Sequence, residues 1–144
     1  MAAGRIELPR DKTPEAFDRF GEGFFPRHLG IEVTRVAAQG VSGRLPVRPE
    51  LLAPNDYLHA ASVIALADTM AGYGTIANLP EGAKGFVTIE LKANFIGTAR
   101  DGAIICTATP LHLGRTTHVW DAVVTDEASG RKIALFRCTQ MILQ

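Results

Sequence analysis

The pattern of apolar and polar residues predicts two short strands, one long helix and then four longer strands. Residues 31–38 and 41–47 alternate around a turn, whereas 59–77 are rich in alanine and apolar nearly all round, which is typical of a buried central helix. The four further strands, separated by short turns, are predicted at 86–95, 104–113, 118–126 and 133–143. One antiparallel sheet with one buried helix is an α+β fold.

A short helix is also predicted near the start of the chain. Thr13 is a favourable N-cap and Pro14 a favourable first helical residue. Three phenylalanines at helical spacing follow and give one apolar stripe: Phe17, Phe20 and Phe24. Pro26 and Gly30 are predicted to end this helix.

The predicted strands contain two prolines and one long alternating run. Because proline has no amide hydrogen, the strand of Pro46 should lie at an edge or end there, and Pro110 should mark a bulge or an edge. In 86–95 the apolar residues occupy every second position: Val87, Ile89, Leu91, Ala93 and Phe95. Such alternation is typical of a strand with one apolar face.

Length and charge favour a single globular domain and exclude a nucleic-acid binder. The chain has 144 residues, with 15 Lys and Arg against 15 Asp and Glu. We expect one domain over 1–144, in which 1–27 form an N-terminal extension with the short helix. A nucleic-acid binder needs a basic surface, and no such excess is present. Near-zero net charge also removes self-repulsion and makes self-association easier.

The sequence argues against metal, disulfide and membrane roles. Cys106 and Cys138 lie in apolar, strand-like runs, which favours buried free thiols. The four histidines lack the spacing of a structural zinc site, so no metal is expected. Neither a secretory signal nor a membrane span is recognisable, and a cytoplasmic protein is the expectation.

Asp68 is the most informative residue for chemistry. It is the only Asp, Glu, Lys or Arg between Asp56 and Glu81, in the middle of the apolar helix. A buried carboxylate is costly unless it is paired, so a general base or nucleophile with a tuned pKa is one interpretation. The alternative is a carboxylate that caps a loop or faces water at the edge of the helix.

The start of the same helix, at His59 and Ala60, is a second candidate. Free amide groups at a helix N-terminus can stabilise an oxyanion, although His59 could equally be a loop histidine bonded to the backbone. Asp68 follows His59 by nine residues, about 14 Å along the axis and on the opposite face. If both groups serve one site, that site needs two chains with antiparallel helices.

Several segments resemble the signature of hotdog-fold acyl-CoA thioesterases, most closely the phenylacetate-degradation and 4-hydroxybenzoyl-CoA type. Residues 55–61 read Asn-Asp-Tyr-Leu-His-Ala-Ala and 65–69 read Ala-Leu-Ala-Asp-Thr. The family pattern has His-Gly-Gly and an acidic residue nine positions after the histidine. The stretch 88–95 is similar to the family's first long strand after the helix, and 113–117 to its turn that contacts coenzyme A.

The resemblance implies a sheet wrapped around the long helix and dimers that share two active sites, with a dimer of dimers as the expected homotetramer. It implies that Asp68 is the nucleophile or general base and that the amide of Ala60 polarises the thioester carbonyl. His59 stays a further catalytic candidate. The residues implied near coenzyme A are Gly114, Arg115, Thr116 and Thr117. No cofactor is expected, because coenzyme A is part of the substrate.

This chain departs from the family pattern at three positions. Ala60-Ala61 replaces Gly-Gly, which preserves the amide but restricts close approach of substrate. The polar residue usually found six positions before the histidine falls on Ala53, so Asn55 is the candidate to replace it. Gly72 stands where some relatives have Thr or Ser. Phe86, with Tyr57 and Met70, is a candidate to line an acyl pocket, although core packing is the commoner role for such residues.

Three functions are compatible with these residues. The leading prediction is hydrolysis of an acyl-CoA thioester. The alternatives are a hotdog acyl-thioester dehydratase or hydratase and a non-catalytic acyl-CoA binding module, which the altered Ala60-Ala61 keeps open. Arg115 is the candidate for a coenzyme A phosphate contact, the alternative being a solvated turn residue.

Overall fold

Six antiparallel strands form one sheet against one long helix. The structure, a computed structural model, describes residues 7–144. The strands are β1 (Glu32–Ala37), β2 (Gly40–Pro46), β3 (Gly85–Phe95), β4 (Ala103–Leu113), β5 (Thr117–Asp126) and β6 (Lys132–Leu143). Their order in the sheet is β1-β2-β4-β5-β6-β3, so β1 and β3 are the edges. The helices are α1 (Pro14–Phe20), α2 (Phe25–Leu29) and α3 (Ala60–Ala77), with a 3-10 turn at Pro49–Leu51.

Helix α3 forms the centre of the core, as the sequence predicts. It begins after His59, and 12 of its 18 residues are buried. By length and composition it could cross a membrane, but two thirds of it is buried inside the fold. Its small residues let the sheet approach closely: the Trp120 ring packs where Gly74 has no side chain, and the Phe86 ring does so at Gly72. The α+β class and the predicted antiparallel sheet around one long central helix are thereby confirmed.

The strand irregularities follow the prolines. Strand β2 pairs on both sides, so it is not an edge strand, and it ends at Pro46, which is the other expectation for this proline. The pairing of β4 with β5 is irregular between Pro110 and His112, which confirms a bulge at this proline. Cys106 and Cys138 are buried free thiols, as expected. Burial raises the pKa of both thiols, so they stay protonated.

The prediction that apolar residues alternate regularly along β3, all on one face, is wrong. Its register against β6 shifts between Thr88 and Glu90, so Ile89 is an extra, bulged residue. Before the bulge, Thr88 pairs with the buried Gln140; after it, Leu91 pairs with the buried Cys138. Odd-numbered residues therefore face the helix only after the bulge, because one inserted residue exchanges the two faces of a strand.

The single N-terminal helix is also a wrong prediction. The chain forms two helices, with Gly21 capping α1 and Gly23 at φ 79° between them. Phe24 lies outside α1 as the N-cap of α2, and Pro26 lies in the first turn of α2 rather than ending a helix. Glycine tolerates this left-handed backbone, which the phenylalanine spacing alone does not reveal. Gly30, at φ 89°, does end α2.

Candidate active site

Asp68 lies halfway along α3 and faces strand β3. Its side chain is half-buried, and the Thr88 hydroxyl donates a hydrogen bond to Asp68 Oδ1 at 3.3 Å. Burial raises the pKa of the Asp68 carboxyl above its ordinary value, and the hydrogen bond from Thr88 lowers it in part. A carboxylate of raised pKa is a better proton acceptor than a solvated aspartate, which suits a general base.

A cavity of about 410 Å³ adjoins this carboxylate between α3 and β3. Asp68 and Phe86 both line it, so the fold brings these two predicted site residues together. The Phe86 ring approaches the helix at Gly72, where an added Cβ would lie 2.8 Å from Phe86 Cζ. The other walls are largely apolar, from α1, α2 and the C-terminal end of α3. An apolar group next to Asp68 would find room here.

The start of α3 lies in a second, separate cavity of about 570 Å³. Ala60 lines this cavity with Tyr57 and Phe95. Within the described residues 7–144, the Ala60 amide has no hydrogen-bond acceptor, as expected for the first residue of a helix. An oxyanion could accept this hydrogen bond. Asp68 is eight residues further on, about 12 Å along the helix axis.

Two predicted residues beside Ala60 hold the backbone in place. His59 is the N-cap, and its Nδ1 accepts the amide hydrogen of Ala61 at 2.9 Å. In the neutral ring the proton therefore resides on Nε2. Asn55 Oδ1 accepts the amide hydrogen of Tyr57 at 3.3 Å within an exposed turn. Both side chains position the loop that leads into α3, while their predicted catalytic roles stay predictions.

The predicted coenzyme A turn, 114–116 with the start of β5, lies at the opposite end of the sheet from Ala60. Gly114 donates its amide hydrogen to the Thr117 carbonyl, and the Thr116 carbonyl accepts from Ile142. Ile142 pairs with Phe86, so this turn shares an end of the sheet with Phe86. The Arg115 side chain is exposed to solvent. The predicted site residues thus form two groups in each chain, one with Ala60 and one with Asp68.

A buried polar cluster near this turn was not predicted from the sequence. The Trp120 indole donates to Thr75 Oγ1 at 2.9 Å, and Thr75 in turn donates to the Gln140 side chain. His118 Nδ1 lies 3.3 Å from the same hydroxyl, and burial lowers the pKa of His118. The cluster ties α3 to β5 and β6. Its only sequence signal is a polar residue on the inward face of each element.

Comparison with known proteins identifies the class. The model of the thioesterase superfamily matches residues 55–133, so the chain belongs to this superfamily. It is 31% identical to the 1,4-dihydroxy-2-naphthoyl-CoA hydrolase of Escherichia coli (93% of this chain, 97% of the relative). It is 31% identical to the proofreading thioesterase EntH of Cronobacter turicensis (93% and 96%). The crystal structure of a Haemophilus influenzae thioesterase superposes with a TM-score of 0.87 at 26% identity (95% and 94%). The protein is therefore a thioester hydrolase of the hotdog fold; the phenylacetate or 4-hydroxybenzoyl subtype stays a prediction.

Proposed function

We propose that this protein hydrolyses acyl-CoA thioesters, with Asp68 as the catalytic carboxylate. The observation that carries the proposal is a half-buried aspartate of raised pKa in the wall of a largely apolar cavity. No other Asp, Glu, Lys or Arg lies on α3. A relative that is named as a CoA hydrolase and aligns over 93% of this chain supports coenzyme A as the thiol.

The complete site is proposed to form between two chains across β3. Within the part of the chain that the structure describes, this edge strand is paired on one side only and carries exposed apolar residues, among them Ile89 (57% exposed) and Phe95 (44%). An unpaired apolar edge is a template for another strand. Near its start, β3 contacts Asp68 through Thr88; at its end, Phe95 shares a cavity with Ala60.

Antiparallel pairing of two β3 strands about a two-fold axis sets the start of one against the end of the other. Asp68 of one subunit then faces Ala60 of the partner subunit, and two equivalent sites result. The turn at Gly114–Thr117, which shares an end of the sheet with Phe86, arrives on the Asp68 side. Arg115 would meet a phosphate of coenzyme A there. A tetramer of two such dimers and a cytoplasmic location stay predictions.

The reaction needs one water and one proton relay. As general base, Asp68 takes a proton from water, whose oxygen bonds to the thioester carbonyl carbon. The carbonyl π electrons move to oxygen, which accepts a hydrogen bond from the Ala60 amide. The C–S bond then breaks, and the leaving thiolate takes the proton from Asp68. Direct attack by Asp68, with a mixed anhydride that water then hydrolyses, is the second route and stays open.

A panel of acyl-CoA substrates read by release of free thiol tests the activity. The expected result is thiol release from at least one acyl-CoA by the wild type, with loss of this activity in Asp68→Asn. An enoyl-CoA that gains water without thiol release would favour the hydratase alternative. Tight binding with no turnover of any substrate would favour the non-catalytic module.

Mixing two inactive variants tests the shared site. In a heterodimer of Asp68→Asn and Ala60→Pro chains, one site carries both defects and the other carries none. Random exchange of subunits should therefore restore about a quarter of wild-type activity. If both groups act within one chain, every site keeps one defect and the mixture stays inactive.

A further inference from the structure

The two N-terminal helices contribute to the wall of the Asp68 cavity. Phe20 of α1 and Pro26 of α2 both line it, together with Tyr73 and Ile76 of α3. Neither helix takes part in the sheet, and neither carries a residue proposed above for the chemistry. Their contribution to the site is therefore the shape of this cavity.

The cavity follows one face of α3. Asp68, Gly72 and Ile76 all line it and follow one another at intervals of four residues, which spans about 12 Å along the helix. Among the described residues 7–144 that line it, the one cation is Lys84, whose Nζ donates to the backbone oxygen of Gln144 at 2.8 Å. Its apolar stem is what remains to face the cavity. An acyl group that enters at Asp68 therefore meets apolar surface along the groove.

The far wall is anchored to the core. Phe17 is fully buried, and its ring lies 5.2 Å from that of Tyr73 between centroids. Phe20 meets the same Tyr73 ring edge-on at 6.0 Å. Asp18 Oδ1 accepts the amide hydrogen of Val33 at 2.9 Å, which ties α1 to β1. A wall fixed in this way limits the length of the acyl group that binds, whereas a loosely packed segment would move aside for a longer one.

We propose that Phe20 is a specificity-determining residue, whose ring lies beside Tyr73, further along α3 than Asp68, and sets the longest apolar acyl group that the cavity accepts. This inference rests on the proposed acyl-CoA hydrolase activity and assigns a role to the N-terminal extension. The substrate class that it defines is uncharged, apolar acyl-CoA of limited length.

The test compares Phe20→Ala, Phe20→Trp and the control Phe24→Ala over straight-chain acyl-CoA substrates from butanoyl to tetradecanoyl. Phe24 is a matched control because it is a phenylalanine of the same segment that is 65% exposed and does not line the cavity. Phe20→Ala should raise kcat/KM about ten-fold or more for the first chain length that the wild type rejects. Phe20→Trp should shorten the accepted length, and Phe24→Ala should leave it unchanged.

Binding of non-hydrolysable thioether analogues of the same lengths, measured by calorimetry, separates this inference from the activity. The same shift in length should occur in binding even if no acyl-CoA is hydrolysed, an outcome that would refute only the proposed function. An unchanged length profile in both Phe20 variants, with melting temperatures showing that they are folded, overturns the inference. An equal shift in Phe24→Ala, or no binding of any analogue by the wild type, overturns it too.

Discussion

Replacing Asp68 by Asn should remove most of the turnover and stabilise the fold at neutral pH. Asn keeps the shape of the side chain and an Oδ1 that accepts from Thr88, which donates at 3.3 Å in the wild type. It removes the negative charge that burial disfavours. A general base contributes about 10²–10⁴-fold to the rate, so kcat should fall by that factor.

The stability effect has a defined direction with pH. Because burial raises the pKa of Asp68 in the folded state, the folded chain holds this proton more tightly than the unfolded chain. Tighter proton binding by Asp68 therefore contributes stability that is complete below the unfolded pKa of about 3.9 and is lost as pH rises through the folded pKa. Above that range the wild type bears the full cost of the buried charge, which the Asn variant lacks.

The expected gain at neutral pH is about 0.5–2 kcal/mol, the range typical of single stabilising substitutions. In a domain of this size it raises the melting temperature by a few degrees. Thermal melts at neutral and acidic pH measure it, and the two proteins should converge at acidic pH. Thiol release from the best acyl-CoA measures turnover.

Asp121→Asn is the matched control. Asp121 forms an exposed ion pair with Arg137 on the outer face of the sheet, at 2.6 Å, and lies outside the Asp68 cavity. Its loss should cost at most about 1 kcal/mol and leave turnover unchanged. Near-wild-type turnover of Asp68→Asn would refute the catalytic assignment, and a lower melting temperature at neutral pH would refute the desolvation argument.

Three further substitutions test the remaining parts of the site. Ala60→Pro should lower kcat about 10²–10³-fold, because it removes the proposed oxyanion donor. The fold should survive, since proline suits the first helical position and His59 has a compatible ψ of 137°. The control Ala60→Gly keeps the amide and should stay active; equal activity of the two variants would contradict the role of this amide as the oxyanion donor. Thr88→Val removes the hydrogen bond that lowers the pKa of Asp68, so the acidic limb of the kcat/KM–pH profile should move to higher pH. If the limb does not move, the limb does not report the ionisation of Asp68. Gly72→Ala should push the Phe86 ring into the cavity and lower kcat/KM for larger acyl groups more than for small ones, which a substrate series measures; a uniform loss would argue against a cavity effect.

The elements were predictable because their signals are local. The apolar composition of 59–77 and the alternation in the later strands each depend on neighbouring residues only, and the structure confirms the helix and the four strands that they predict. The bulge at Ile89 was not predictable in this way, because it arises from the register between β3 and β6. The break between α1 and α2 depends on glycine backbone angles around Gly23, which the apolar stripe of phenylalanines obscured.

The candidate site was predictable where a residue differs in polarity from its neighbours in the sequence. Asp68 is recognisable in the sequence because it is the only Asp, Glu, Lys or Arg in an apolar helix. Its partner Thr88 is not, since one polar residue in an alternating strand has no distinguishing feature until the strand is placed beside the helix. The cavity wall formed by Phe20 requires the tertiary packing of α1 against Tyr73.

Strand β3 links the stability of the fold to the proposed chemistry. It positions Thr88 beside Asp68 and Phe95 beside Ala60, yet its apolar side chains stay exposed in a single chain. Pairing with a second β3 would bury these side chains, which favours association, and the same contact would bring the two catalytic groups within reach of one thioester. Because Asp68 and Ala60 lie about 12 Å apart along α3, a single chain would, in this proposal, hold both groups without completing a site. In the proposed dimer, the hydrophobic effect that favours association would therefore also assemble the active site.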